Sequence, residues 1–310
     1  MKRIAGLLLL SSALLIPALA QKTPNPFAGR WDITVTTPKD SYPGWMELIE
    51  AGGTPQVRVQ PRGGSVYPIK GVKQEGAKLT LTLETGSNGN PDTTWELTPT
   101  SGRLTGVLKK GDKVEGKVAG VRAPAMKRAA PKAWTTPEPI FNGKDLTGWK
   151  PDSPAHNAWV AKDGLLINEK SGANLMTTRK FDDFKLHIEF NCPKGGNSGI
   201  YLRGRDEIQV EYELTPEDTL HEMGAIYGFV APSVQLPAKP GEWESFDVTL
   251  VGRMLTVVRD GVKTIDNQEI PGITGGALDS HEAEPGPIYI QGDHTGNMRF
   301  RNITISVPKK

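Results

Sequence analysis

Two stretches of this chain concentrate side chains that can move protons or grip hydroxyl groups. The first is Gly195-Gly-Asn-Ser-Gly-Ile-Tyr-Leu-Arg203, followed at once by Asp206-Glu-Ile-Gln-Val-Glu211. In extended chain, successive side chains face opposite ways. Glu207, Gln209 and Glu211 therefore share one face, and Ile208, Val210 and Tyr212 the other. By the same alternation Tyr201 and Arg203 oppose Ile200 and Leu202. The second stretch is Tyr289-Ile-Gln-Gly-Asp-His294, where Gln291 and Asp293 share the face of Tyr289. Glu207 is a candidate base or metal ligand, and His294 a candidate base, acid or metal ligand, since an imidazole exchanges its proton near neutral pH. Arg203 offers a fixed fork of donors for a developing oxyanion. Gln209, Gln291, Asp293 and Asn197 supply hydrogen bonds for sugar hydroxyls, and Tyr201 and Trp243 supply rings to stack on a sugar face. A divalent metal held by Glu207 and His294 is a candidate cofactor, although no diagnostic ligand spacing accompanies it.

Such side chains need a sheet to hold them in register. The chain has 35 glycines and 25 prolines, which fall between short runs rich in Val, Ile, Thr, Leu and aromatics. That rhythm predicts an all-β protein. Residues 27–122 contain seven or eight such runs with tight turns, the layout of a small antiparallel up-and-down barrel. Gly29-x-Trp31 near its start makes that layout similar to lipocalin-style barrels. Residues 123–137 hold three prolines and five alanines without apolar periodicity and read as a linker. Residues 138–308 carry at least ten further runs and all five histidines, which predicts a two-sheet jelly-roll sandwich. Cys192 alternates with apolar residues and is expected to be buried and inert. Met298 and Phe300 are out of phase with Ile303, Ile305 and Val307, so a bulge is expected at Arg301-Asn302.

Residues 1–20 have a basic start, an apolar run and an Ala18-Leu-Ala20 end, the pattern of a cleaved secretory leader. Position 21 is Gln, not the cysteine of a lipoprotein, so a periplasmic or secreted protein is expected. The apolar run is short for a membrane span, and no later segment could cross a membrane. The full chain carries 37 basic and 35 acidic residues. That balance gives no reason to expect nucleic-acid binding.

The second domain resembles the 3-keto-disaccharide hydrolase family over almost its whole length. The resemblance rests on Phe141-Asn-Gly-Lys-Asp-Leu-Thr-Gly-Trp149, Trp159 with Asp163-Gly-Leu165, Phe181-Asp-Asp-Phe-Lys-Leu186, Gly196-Asn-Ser-Gly-Ile-Tyr-Leu-Arg203 and Glu207-Ile-Gln-Val210. It continues through Gly224-Ala-Ile-Tyr-Gly228, Pro240-Gly-Glu-Trp243, Gly286-Pro-Ile-Tyr-Ile-Gln-Gly-Asp-His294 and Phe300-Arg-Asn-Ile303. The resemblance implies a concanavalin A-like sandwich acting on sugars already oxidised to a ketone. The ketone acidifies the hydrogen on the next carbon. Its removal gives an enolate, the aglycone is eliminated, and water adds back. Such chemistry needs a base, an enolate stabiliser and an acid. The family's usual Glu-x-Gln-x-x-Asp departs here, with Tyr212 at the aspartate position. Two alternatives stay open: a laminarinase-type retaining glycosidase, whose Glu-x-Asp-x-Glu is imitated by Glu207-Ile-Gln-Val-Glu211, and a carbohydrate-binding module without catalysis.

Overall fold

The computed structural model describes residues 24–83, 93–212, 215 and 218–309. The expected leader lies outside the described residues. Nearly all the described regular structure is β; one short 3-10 turn, Pro154–His156, is the helical exception.

Nine strands, from Gly29–Thr36 to Lys113–Arg122, form the first sheet. Each pairs antiparallel with its sequence neighbour, and the first pairs with the last from Trp31↔Arg122 to Thr36↔Lys117. The one break falls between Tyr67–Pro68 and Gly71–Glu75, which are consecutive in the chain. The sheet is therefore an up-and-down barrel with a single seam. Every second residue points inward. Trp31, Ile33 and Val35 meet Leu79, Leu81, Trp95 and Leu97 in one core. Fully burying such side chains contributes about 1.5–3 kcal/mol each.

The second unit is a sandwich. Its large sheet runs in the order Trp159–Lys162, Leu165–Asn168, Met298–Ser306, Phe184–Asn191, Trp243–Val251, Met254–Arg259, Val262–Glu269, and Glu138–Pro139 pairs with Met298–Ser306. Its small sheet runs Trp149–Pro151, Leu175–Thr177, Tyr289–Ile290, Asn197–Leu202, Asp206–Glu211. Ile200, Leu202, Ile208, Val210 and Ile290 of the small sheet bury against Ile188, Phe190, Phe246 and Phe300 of the large one. Cys192 lies in the same core. The phase change in the last strand is a bulge. Arg301 faces Glu189, Thr304 faces His187, and Asn302 takes a left-handed φ of 49°.

Ala225-Ile-Tyr-Gly228, strand-like in sequence, is a loop that makes only isolated bridges through Ile226. Gly224 and Gly228 turn the chain at both ends with φ of 86° and 75°, which leaves no length for a ladder. Residues 123–137 lie along the sandwich and bond to it. Arg253 Nε donates to the Pro124 carbonyl at 2.9 Å, and Arg128 pairs with Asp182 and Asp183. Barrel and sandwich also meet directly. Trp45 packs on Ile273, Ala277 and Phe229, with its ring edge-on to Phe229 at 5.3 Å.

Candidate functional site

The inner face of the small sheet is spent on the core, so its polar row turns outward, as strand alternation requires. Glu207 stands opposite Tyr201, and Gln209 opposite Gly199. Gly199 is needed there, because a Cβ on it would overlap the Glu207 carboxyl. The carboxyl therefore lies flat across the neighbouring strand. Tyr201 donates its hydroxyl proton to the Gly275 carbonyl at 2.8 Å, and Gly276 leaves room for that hydroxyl. Thr274 accepts the Glu207 backbone N–H at 3.0 Å and donates to the Arg205 carbonyl at 3.1 Å. Gln209 Nε2 donates to Glu211 at 2.8 Å.

The second stretch leaves its strand at Ile290 and turns over the edge of the first. Four bonds fix it. Gln291 N–H donates to the Gly199 carbonyl, Ser198 Oγ to the Gln291 carbonyl, Gly292 N–H to Asn174, and Asn197 N–H to Thr295. This anchoring presents Asp293 and His294 as a pair, with Nδ1 and Oδ1 2.7 Å apart. The Asp293 carboxylate engages Nδ1 and leaves Nε2 as the other ring nitrogen. Both side chains are about half exposed.

Glu207, Gln209, Tyr201, Asn197, Gln291, Asp293 and His294 all line one cavity of about 280 Å³. That is close to the lower end of small-molecule sites, roughly 300–1,000 Å³. Burial pushes the Glu207 carboxyl up to about 8, and the charges of Asp293 and Glu211 push the same way. Its proton is thus held through neutral pH. His294 is raised by its hydrogen bond to Asp293, and Asp293 is lowered by the same bond. The cavity therefore juxtaposes a protonated carboxyl and an oriented imidazole, a pairing suited to general acid–base work.

Two candidates lie elsewhere. Arg203 does not reach the cavity. The strand ends at Leu202, and Arg203 takes a left-handed φ of 52° before Gly204, which breaks the alternation. Its guanidinium is 2% exposed, donates to the Gly252 carbonyl at 2.7 Å and sits 3.7 Å from Asp206. Trp243 is on the large sheet opposite Asn191, with the Arg301 guanidinium 3.9 Å over its ring. Neither can serve the role expected from sequence. Among the described residues no group of three or more His, Cys, Asp or Glu is placed to hold a metal ion. Tyr212 packs against the sandwich core, away from Glu207 and Gln209, so its departure from the family pattern leaves the cavity's own groups in place.

The cavity also has walls that sequence reading missed. Tyr227 enters from the loop between Gly224 and Gly228, Gly275 and Gly276 from the loop that holds Tyr201, and Gly63 and Gly64 from the barrel. Tyr227 was visible as an aromatic between two glycines. Nothing in the sequence ties Gly63 and Gly64 to the second domain.

A family model described as the 3-keto-alpha-glucoside-1,2-lyase-like domain matches residues 136–306. A 3-keto-disaccharide hydrolase of Bacteroides thetaiotaomicron is 27% identical, with 34% of this chain and 49% of the relative covered. The chain thus spans about half the length of that curated relative. Two solved structures, both provisionally assigned glycosyl hydrolases of Parabacteroides distasonis, are similar. One is 27% identical with a TM-score of 0.47, covering 58% of this chain and 92% of its own. The other is 21% identical with a TM-score of 0.46, covering 56% and 92%. The family match takes in more than half of the sequence, including every residue of the small sheet and the Asp293–His294 pair. This chain belongs to the 3-keto-alpha-glucoside-1,2-lyase-like family.

Proposed function

We propose that the protein cleaves 3-keto-glycosides by elimination followed by hydration. The observation that carries this reading is one cavity lined by both the buried Glu207 carboxyl and the Asp293–His294 pair. In the proposed course, neutral His294 removes the hydrogen from the carbon beside the ketone. The C–H electron pair becomes an enolate. Its collapse breaks the bond to the aglycone oxygen, which takes the proton of Glu207. Water then adds across the new double bond, giving its hydroxyl to the anomeric carbon and its hydrogen to the neighbour. Asn197, Gln291 and Tyr227 line the cavity and carry donors for the enolate oxygen and the sugar hydroxyls. Tyr201 and Gln209 hold the floor. A laminarinase-type reading needs a carboxylate between two glutamates. Position 209 is an amide, and its N–H is engaged by Glu211.

The test is turnover in deuterium oxide of a 3-keto-glucoside beside the parent glucoside. Cleavage of the keto substrate with one solvent deuterium on the carbon beside the ketone is expected. Equal cleavage of the parent glucoside, or a product without that label, would overturn the reading. The proposal includes export. A mature chain beginning at Gln21 in the extracytoplasmic fraction, read by mass spectrometry, is the expected result.

A further inference from the structure

The barrel lies outside the family match, yet it reaches the cavity. Gly63 and Gly64 form part of the lining. The contact is close and built from both sides. A Cβ at Gly275 would run into the Gly64 backbone, one at Gly228 into Ser65, and one at Gly272 into the ring of Trp45. Three glycines of the sandwich are therefore seats for the barrel, at distances that only a missing side chain permits. Beside them, Trp45 and Val66 of the barrel bury against Ile273, Ala277 and Phe229. The Gly275 seat is also the acceptor for the Tyr201 hydroxyl, and the Glu207 backbone bonds to Thr274 just before it. One short segment thus carries the barrel on one side and the floor of the site on the other.

We propose that the Gly63–Gly64 turn of the barrel is a specificity-determining wall of the substrate cavity, which limits the size of the aglycone beside the keto sugar. This rests on the 3-keto-glycoside reading given above. The turn presents backbone alone, so it sets the space available without offering a side chain that would choose among aglycones by charge. The space could be reduced without disturbing the barrel. A Cβ at Gly63 meets no atom within 4 Å, and Gly63 does not have the positive φ that Gly64 has at 71°.

The test is a graded series in the full-length protein: Gly63→Ala, Gly63→Leu and Gly63→Trp. Substrates are a 3-keto-disaccharide and a 3-keto-methyl-glucoside, and each variant's melting temperature is recorded. We expect unchanged melting temperatures. KM for the disaccharide should rise with side-chain size, by tenfold or more for Gly63→Trp, while kcat/KM for the methyl glycoside changes less than threefold. Equal kinetics across the series on both substrates would overturn the inference while leaving the proposed reaction standing. An equal loss on both substrates would overturn it too, because a wall that selects by size must discriminate. Absence of turnover by the unsubstituted protein would overturn the proposed reaction and this inference with it.

Discussion

Glu207 holds its proton because it is buried, with Asp293 and Glu211 adding negative charge around it. An acid of this kind works below its pKa and fails above it. The base works in the opposite sense. His294 must be neutral, and Asp293 raises its pKa. Activity on a 3-keto-glycoside should therefore climb as pH passes the raised histidine value and fall as pH passes about 8. A pH profile of kcat/KM that stays flat through about 8 would remove Glu207 from the acid role. Glu207→Gln should lower kcat by about 10²–10⁴-fold, the usual worth of a general acid, with KM little changed. Asp293→Asn should move the acid limb downward, since the imidazole loses the anion that raises it. These groups were readable in the sequence because parity alone sends Glu207 and Gln209 to one face. Arg203 misled for a local reason. A left-handed residue before a glycine ends the strand one position early, and parity has no meaning beyond that point.

Position 199 shows what the strands themselves contribute. The carboxyl of Glu207 crosses onto the neighbouring strand because Gly199 has no side chain. Gly199→Ala should push that carboxyl aside and cut kcat by 10²-fold or more, comparable with losing the acid itself. The overpacking should cost about 1–3 kcal/mol of stability by chemical denaturation. Wild-type kcat in a folded Gly199→Ala protein would show that the carboxyl's placement is unimportant. The strand content was legible because the apolar positions alternate, and even the bulge could be located from the phase change between Phe300 and Ile303. The course of residues 224–228 was not. A four-residue apolar run has strand composition, and only the two left-handed glycines beside it decide for a loop. The same glycines place Tyr227 at the cavity.

At the scale of the molecule, the seam between barrel and sandwich carries buried charge as well as apolar contact. Asp32 of the barrel is buried beside Glu282, which Arg253 grips with two donors. Burial, with Glu282 alongside, pushes the Asp32 carboxyl well up from its usual range. The folded protein then keeps a proton that the unfolded chain releases above about pH 4. Folded-state stability should decline as pH rises, because the folded state binds more protons. Asp32→Asn keeps the shape without the titration, so its melting temperature should fall less steeply with pH between about pH 5 and about pH 9, the share of the slope due to Glu207 remaining. An identical slope in wild type and variant would exclude Asp32 as its source. Trp45→Ala should cost about 3–5 kcal/mol, as for other buried large side chains, and should impair turnover as well by loosening the wall at Gly64. None of this was legible beforehand. Alternation predicts which residues of a strand are inside, but Trp45 and Asp32 look like ordinary strand residues of the barrel until a second surface is laid on them.

The three glycine seats have a consequence for how this protein can be taken apart and rebuilt. A graft joined at residue 123 would carry over the cores of both halves intact. Yet a donor sandwich bearing even alanine at the equivalents of 228, 272 or 275 would hold the barrel off by about a methyl radius. The crevice for the sugar would gape, with every acid and base still present. The two halves have their own cores but share the seam at Trp45, so they are a matched set that engineers and recombination alike must move together.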